Sequence, residues 1–323
     1  MPVTPLGSES YVSAAITNMA MAYRQTQTDF IGTKFAPVVT SDKPTGRYFT
    51  FGKAEFLSDN MQRRGSGERA NRGGFRLSDT GYTCETWALG TSLSNQDRGS
   101  WDEKALGNVD RVKAEWLMMQ NLQRFERQWA ADFFVTGVWG TSTTPATLWS
   151  TSTSTPIENV QVGLKTVKKN TGYKPNTMVV GYDVHDVLVR HPDIVDIIKH
   201  TSSPGNPAIA NEETLAKVFG VKRYMVCQAV KNTANENATF SGDFIQGKHA
   251  LLAYVADAPS VEEPSAAYTF AWTGVGEGRI AEEIAISQWY DQDTRSDIWE
   301  IEASWDNVIT GSDLGYMFVS VVS

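Results

Sequence analysis

Asp183, His185, Asp186, His191 and Asp193 fall within one short stretch. They include the donor types of a metal centre or an acid–base pair. The spacing argues against that use. His185 and His191 are six residues apart, whereas two ligands on one helical face need a separation of four. Helix capping and surface roles account for these groups. A second stretch, Asp291-Gln-Asp293-Thr-Arg295-Ser-Asp297 followed by Glu302, imitates a calcium loop in part. Arg stands at the fifth position and Ser, in place of Gly, at the sixth, and the flanks alternate as strands rather than helices. A polar hairpin turn is the simpler reading. Gly274, Gly276 and Gly278 resemble a phosphate cradle, but no strand feeds a helix at the right spacing and no Lys-Ser or Lys-Thr follows. There is no GxSxG. The two cysteines, Cys84 and Cys227, lack CxxC spacing and are expected to be reduced, packed thiols rather than a disulfide or zinc site. No catalytic group, cofactor or metal is expected, and the chain does not read as an enzyme.

One cluster does call for a partner. Arg63, Arg64, Arg69, Arg72 and Arg76 crowd 14 residues with only Glu68 among them. A solvated hairpin tip would explain them. Two functional readings compete with that one: contact with DNA, or docking on acidic groups of another subunit. The guanidinium fork suits carboxylate and phosphate alike. Single-strand binders add aromatic platforms to charge, and only Phe75 interleaves here. Docking on a second subunit is the expectation.

The 323-residue chain carries a net charge of -8, against the basic excess usual in proteins that grip nucleic acid. A negative average suits a container that holds DNA without adhering to it. Hydrophobic residues make up 41% and charged residues 20%, an ordinary folded composition of about two domains. Met1 to Ser10 lacks the basic start and apolar run of a signal peptide, and no run approaches a membrane span. A product made and kept soluble in a cytoplasm is expected.

These residues need elements to hold them. Tyr11, Ala15, Ile16, Met19 and Tyr23 recur at helical spacing within an arm, 1–35, that has no core of its own and must dock elsewhere. Arg47 to Phe51 and Tyr82 to Trp87 alternate as strands around a polar middle, 58–74. This predicts a long hairpin, marginal by itself. Val109, Val112, Trp116, Met119, Leu122, Phe125, Trp129 and Phe133 then follow at steps of three or four. They predict a spine helix of about 30 residues, roughly 45 Å long, capped by Ser100 or Asp102 and ended by Gly137 and Gly140. The Thr- and Ser-rich stretch 136–156 reads as a linker or loop between domains. From 157 to about 265, strands around Met178-Val180, Tyr224-Val226 and Ala250-Val255 alternate with helices at Asp183–Arg190, Asp193–Lys199 and Glu212–Phe219. Pro192 sits at a first helical position, and the whole predicts a compact α/β layer. Trp299, Ile301, Ala303 and Trp305 alternate with polar neighbours as a strand with one wet face. Ala285 to Tyr290 is its expected hairpin partner, and Met317 to Val322 the closing strand.

The order of arm, hairpin, spine, α/β domain and returning hairpin resembles the major capsid protein of tailed bacteriophages, a fold shared with encapsulins and the herpesvirus capsid floor. The resemblance covers nearly all of the chain. Gly181-Tyr182-Asp183-Val184-His185-Asp186, through Leu188 and His191-Pro192-Asp193 to Ile198-Lys199, is similar to a helix pair in phage coat proteins. So is the ending, Trp289-Tyr290-Asp291, Ser296-Asp297 and Ser304-Trp305-Asp306. The resemblance implies an α+β fold with four parts. These are an N-terminal arm at 1–35, an extended loop at 36–92, a peripheral domain at 93–156 and 266–323, and an axial domain at 157–265. It further implies self-assembly into the hexamers and pentamers of an icosahedral shell around double-stranded DNA, put together in a bacterial host cytoplasm. An encapsulin-like compartment is the alternative. The long helical extension that some relatives use as built-in scaffold is missing, so either a separate scaffolding protein exists or the arm suffices; a separate scaffolding protein and a portal are the expected partners, with no membrane.

Overall fold

The computed structural model describes residues 25, 27–101, 108–201, 210–236, 238–259, 263–275, 280 and 286–323. The helix expected around Tyr11 to Tyr23, the candidate cap Asp102, Ala285, Gly276 and Gly278 lie outside the described residues.

Two five-stranded sheets organise the chain. In the first, β1 (Val38–Ser41) runs parallel to β11 (Ala267–Trp272). The long strand β13 (Ser296–Ile309) is its centre. One edge of β13 carries β4 (Glu85–Ser94); the other carries β12 (Ile286–Asp291) and, farther along, β11. The expected hairpin of β12 and β13 is present. As the alternation predicts, Trp299, Ile301, Ala303 and Trp305 are buried and look toward the spine helix. The face bearing Glu300 and Glu302 is open, except that Ser296 and Ser304 on it are buried.

The second sheet has the order β5 (Thr141–Thr143), β14 (Gly315–Phe318), β10 (Ala250–Ala253), β6 (Thr177–Gly181) and β7 (Arg223–Cys227). Every residue of β6, β10 and β14 is buried, as expected of strands covered on both faces. Val179, Leu251 and Met317 join the core built on the spine helix. Their neighbours Met178, Val180, Leu252 and Phe318 join the core beneath the surrounding helices. The two cores therefore share one sheet.

Several expectations are corrected. The spine helix runs Val109–Phe133, 25 residues and about 37 Å. Its cap is Asn108, whose side chain accepts from the N–H groups of Asp110 and Arg111, while Ser100 ends a separate short helix, Asn95–Ser100. The buried stripe passes through Leu117 instead of Trp116, which is 45% exposed. One position of rotation on a 3.6-residue helix decides which of the two faces the sheet. The stretch 136–156 is no linker. It supplies β5, and Trp139 and Trp149 are buried in the two cores, with the Trp149 N–H donating to the Val321 carbonyl at 2.7 Å. The run Tyr82 to Trp87 is two strands with a corner at Cys84: β3 (Leu77–Thr83) ends there and β4 begins. The corner forms because the Cys84 side chain turns inward, its N–H donating to the Pro44 carbonyl and its thiol to that of Phe270.

Helices Tyr182–Arg190, Pro192–Thr201 and Glu212–Phe219 lie where the pattern places them. A fourth, Pro156–Thr171, opens on its proline and closes on Gly172 in the left-handed conformation. The final strand is β14, which starts at Gly315 and ends before the Val321 and Val322 of the expected segment. The C-terminal residues Tyr316, Phe318, Val321 and Val322 pack in the α/β core.

Gln25 to Ala36 belong to the body. Phe30, Ile31, Phe35 and Ala36 are buried against the spine. The Gln25 amide grips both backbone groups of Val230, the first residue of a small hairpin formed by β8 (Val230–Asn232) and β9 (Gly242–Phe244). From the spine, Glu126 accepts hydrogen bonds from the N–H groups of Ile31 (3.3 Å) and Gly32 (2.7 Å). Gly32 has no room for a side chain, since a Cβ there would sit 2.8 Å from Glu126 Oε2 and 3.0 Å from the Phe125 ring.

Burial pushes the Glu126 carboxyl up to about 7, against the pull of the two N–H donors and Lys34. A carboxyl whose folded pKa exceeds its unfolded value stabilises the fold fully below the unfolded value and loses that stabilisation as pH rises through the folded one. Stability measured by denaturant titration should therefore carry a contribution that falls between about pH 4.5 and 7. Glu126→Gln should flatten that part of the profile. Parallel profiles for the two proteins would contradict the assignment.

Candidate assembly interface

The stretch with metal-like composition does not converge. His185 Nδ1 lies 3.2 Å from the Tyr224 hydroxyl, and burial lowers its pKa against Glu212 and Asp186. Asp186 pairs instead with Arg190, four residues on. His191 is buried, with Nε2 3.0 Å from Ser154 Oγ, the separation of a nucleophile and its base. The hydrogen-bond pattern rejects that role. Nδ1 accepts the Asp193 N–H, so the proton of the neutral ring sits on Nε2. Nε2 then donates, and Ser154 gives its own proton to the Thr151 carbonyl at 2.7 Å. The ring is a structural pin between helix and loop.

The other candidates resolve similarly. Asp291 is occupied by its own turn, accepting from the Asp293 N–H and the Thr294 hydroxyl; these bonds hold its carboxyl below the usual range. Arg295 closes that turn at φ 51. Gly274 leaves space for the Trp272 ring, whose nearest atom would be 2.4 Å from a Cβ. Cys84 and Cys227 are free and buried. Burial, helped by Asp306, pushes the Cys84 thiol up to about 11, and burial raises Cys227 well above its usual value, so neither is a ready nucleophile.

The hairpin is different. β2 (Thr45–Phe51) and β3 pair antiparallel through seven residues, and everything from Phe56 to Gly81 is exposed. Arg47 pairs with Asp79 across the ladder. Just beyond the loop end of β2, Lys53 of the short helix Lys53–Leu57 pairs with Asp313 of the body. Arg76 reaches Glu55 at 3.4 Å, and the Arg64 Nε–H donates to the Glu68 carbonyl. Arg63, Arg69 and Arg72 are exposed on the loop between the strands.

Composition alone understated the apolar content of this element. Phe49, Phe56, Leu57, Phe75 and Leu77 are each more than half exposed and Met61 is 91% exposed. Phe56 and Phe75 lie together with ring centroids 5.6 Å apart. They line an open groove with Met61 and Arg64. Each such side chain would contribute about 1.5–3 kcal/mol if fully covered, and a contiguous patch of this kind marks a contact surface. The signal was present as Phe49, Phe56, Phe75 and Leu77, but strand alternation does not reveal that these stay uncovered while Tyr48 and Tyr82 stack on Phe270 of the body.

No family model matches the chain. It is 23% identical over 275 residues to the major capsid protein of Burkholderia phage BcepMu, covering 81% of this chain and 84% of that protein. Among solved structures, a phage-related protein from Bordetella bronchiseptica superposes with a TM-score of 0.67 at 21% identity, over 96% of this chain and 97% of the other. The capsid structure of cyanophage P-SCSP1u superposes with a TM-score of 0.61 at 10% identity, over 93% and 90%. The capsid of Myoviridae phage XM1 gives 0.56 at 8%, over 95% of each. Among the described residues no helix is long and apolar enough to cross a membrane. The resemblance read from the sequence therefore stands: the chain has the α+β fold of phage major capsid proteins, and its curated relative is a structural capsid protein rather than an enzyme.

Proposed function

We propose that this protein is the repeating unit of an icosahedral phage shell, assembling as hexamers and pentamers that enclose double-stranded DNA. The hairpin of residues 45–83 carries the argument. It exposes large apolar side chains and five arginines that its own chain leaves uncovered, a poor investment for a monomer and a natural one for a subunit that covers them on its neighbour. Contacts of one patch with a different patch on the next copy close into rings when the rotation permits. In this reading 1–35 is the arm, 36–92 the extended loop, 93–156 with 266–323 the peripheral domain and 157–265 the axial domain. Strands β5 and β14 lend themselves to the axial sheet. The arginines Arg63, Arg64, Arg69, Arg72 and Arg76 form the inter-subunit contact. Assembly in the host cytoplasm on a separate scaffolding protein, around a portal, completes the proposal.

Negative-stain imaging of the protein expressed with its scaffold tests it. Closed shells or ring-shaped capsomers are expected. A clean monomer near 35.6 kDa at high concentration, with scaffold supplied, would sink the reading.

A further inference from the structure

Glu126 is 1% exposed, on the buried face of the spine helix. A charge in the interior without a bonded cation is costly, and a helix that only needed packing at this position would carry Leu or Met there. Among the described residues its hydrogen-bond donors are the N–H groups of Ile31 and Gly32. The ionisable groups that act on it are few. Lys34, on the segment it holds, favours the carboxylate. Cys227, at the end of β7, is a buried thiol kept protonated by burial and by Glu126 itself. On the spine, Arg127 is exposed and Arg124 lies over the Trp87 ring at 3.6 Å.

What Glu126 holds is a length of backbone. Residues 30–36 lie along the spine, and the polar ties from the body fall on their main chain: Glu126 on the two N–H groups, and Arg223 of β7 on the Lys34 carbonyl at 3.5 Å. Ile31 offers no side-chain cap to the short helix Gly32–Phe35 that follows it, so the spine supplies those acceptors. The side chains make the apolar half of the contact. The Phe35 ring packs against Trp129 and Phe133 with centroids 5.6 and 5.4 Å away. At Gly32 the fit has no slack, because a Cβ would lie 2.8 Å from Glu126 Oε2 and 3.1 Å from the Trp129 ring.

We propose that residues 30–36 are a strap, closed over the spine by the neutral Glu126 carboxyl and opened locally when that carboxyl ionises. The apolar side chains keep the closed form dominant, and Glu126 sets how rare the open form is. Opening uncovers Phe125, Trp129 and Phe133 on the spine while the rest of the molecule stays folded. The sign follows from burial. With the strap closed the carboxyl is pushed up to about 7; with it open, water reaches the group and its ordinary value returns. Closure is favoured fully below about pH 4.5, and the advantage is lost as pH rises through about 7. From about pH 5.5 to about pH 7.5 the open fraction should rise about tenfold.

Amide hydrogen exchange on the full-length protein, without scaffold, tests the strap. Protection factors remove the intrinsic effect of pH on exchange. Those of residues 30–36 should lie below those of β6 and β10, which report opening of the whole molecule, and should fall about tenfold between the two pH values. Glu126→Gln keeps the shape and cannot ionise, so its strap protection should be the same at both. Gly32→Ala should lose strap protection at both while β6 and β10 stay protected. Three results would overturn the proposal. One is strap protection equal to that of β6, which means that the segment opens only with the whole fold. Another is a pH dependence that survives in Glu126→Gln, which places the sensor elsewhere. The third is wild-type protection in Gly32→Ala, which denies the tight clasp.

Discussion

Trp129→Ala is expected to cost about 3–5 kcal/mol and to give insoluble protein. Trp129 is fully buried near the C-terminal end of the spine helix. Its ring meets Phe35, Phe133 and Phe134 edge-on with centroids 5.6, 6.1 and 5.2 Å away, and it lies 3.1 Å from where a Cβ on Gly32 would be. Truncation removes the contact that joins residues 30–36 to the spine, and it opens a cavity that two rigid helices and a sheet cannot close. The neighbouring Glu126 would then face that cavity while still holding the Ile31 and Gly32 N–H groups. The indole N–H of Trp129 has no partner among the described residues, so Trp129→Phe should cost much less than Ala. Thermal melts of the three proteins check both statements. An Ala variant that melts with wild type and assembles would refute the core assignment.

Arg64→Glu/Arg69→Glu should abolish or strongly weaken empty shells while leaving the subunit folded. Arg69 is exposed, and Arg64 makes one hydrogen bond, to a carbonyl four residues away, so reversal removes little from the monomer. In the assembled contact the same change sets carboxylate against carboxylate, a cost of several kcal/mol per desolvated pair, multiplied over every subunit. The DNA reading expects a different pattern. There the reversal spares empty shells and depletes only filled particles, and the dependence on salt is steep. A contact between half-covered partners is screened less. Counting empty and filled particles on a density gradient, at two salt concentrations, separates the two.

Much of this molecule is local in origin and could be read without coordinates. The spine helix follows from apolar residues at steps of three and four over 25 positions. Helices Pro192–Thr201 and Glu212–Phe219 follow from a proline and acidic residues in their first turns. The alternation in β13 separates its buried tryptophans from Glu300 and Glu302. The separation of His185 and His191 was also legible: they are spaced wrongly for one face, and the structure turns each toward a different hydrogen-bond partner.

Tertiary packing decided the rest, wherever a residue's role depends on a segment far away in the chain. Trp116 and Leu117 are equally apolar neighbours, and only the position of the first sheet selects Leu117 for the core. The Thr- and Ser-rich stretch before Pro156 has no periodicity, yet β14, some 170 residues later, recruits Thr141–Thr143 as a strand, and Val321 fixes Trp149. Cys84 breaks what alternates as one strand because its inward path is set by Phe270. The hairpin's arginines were visible as composition, but the contact of Phe56 with Phe75 beside them exists only because the chain folds back on itself between the two.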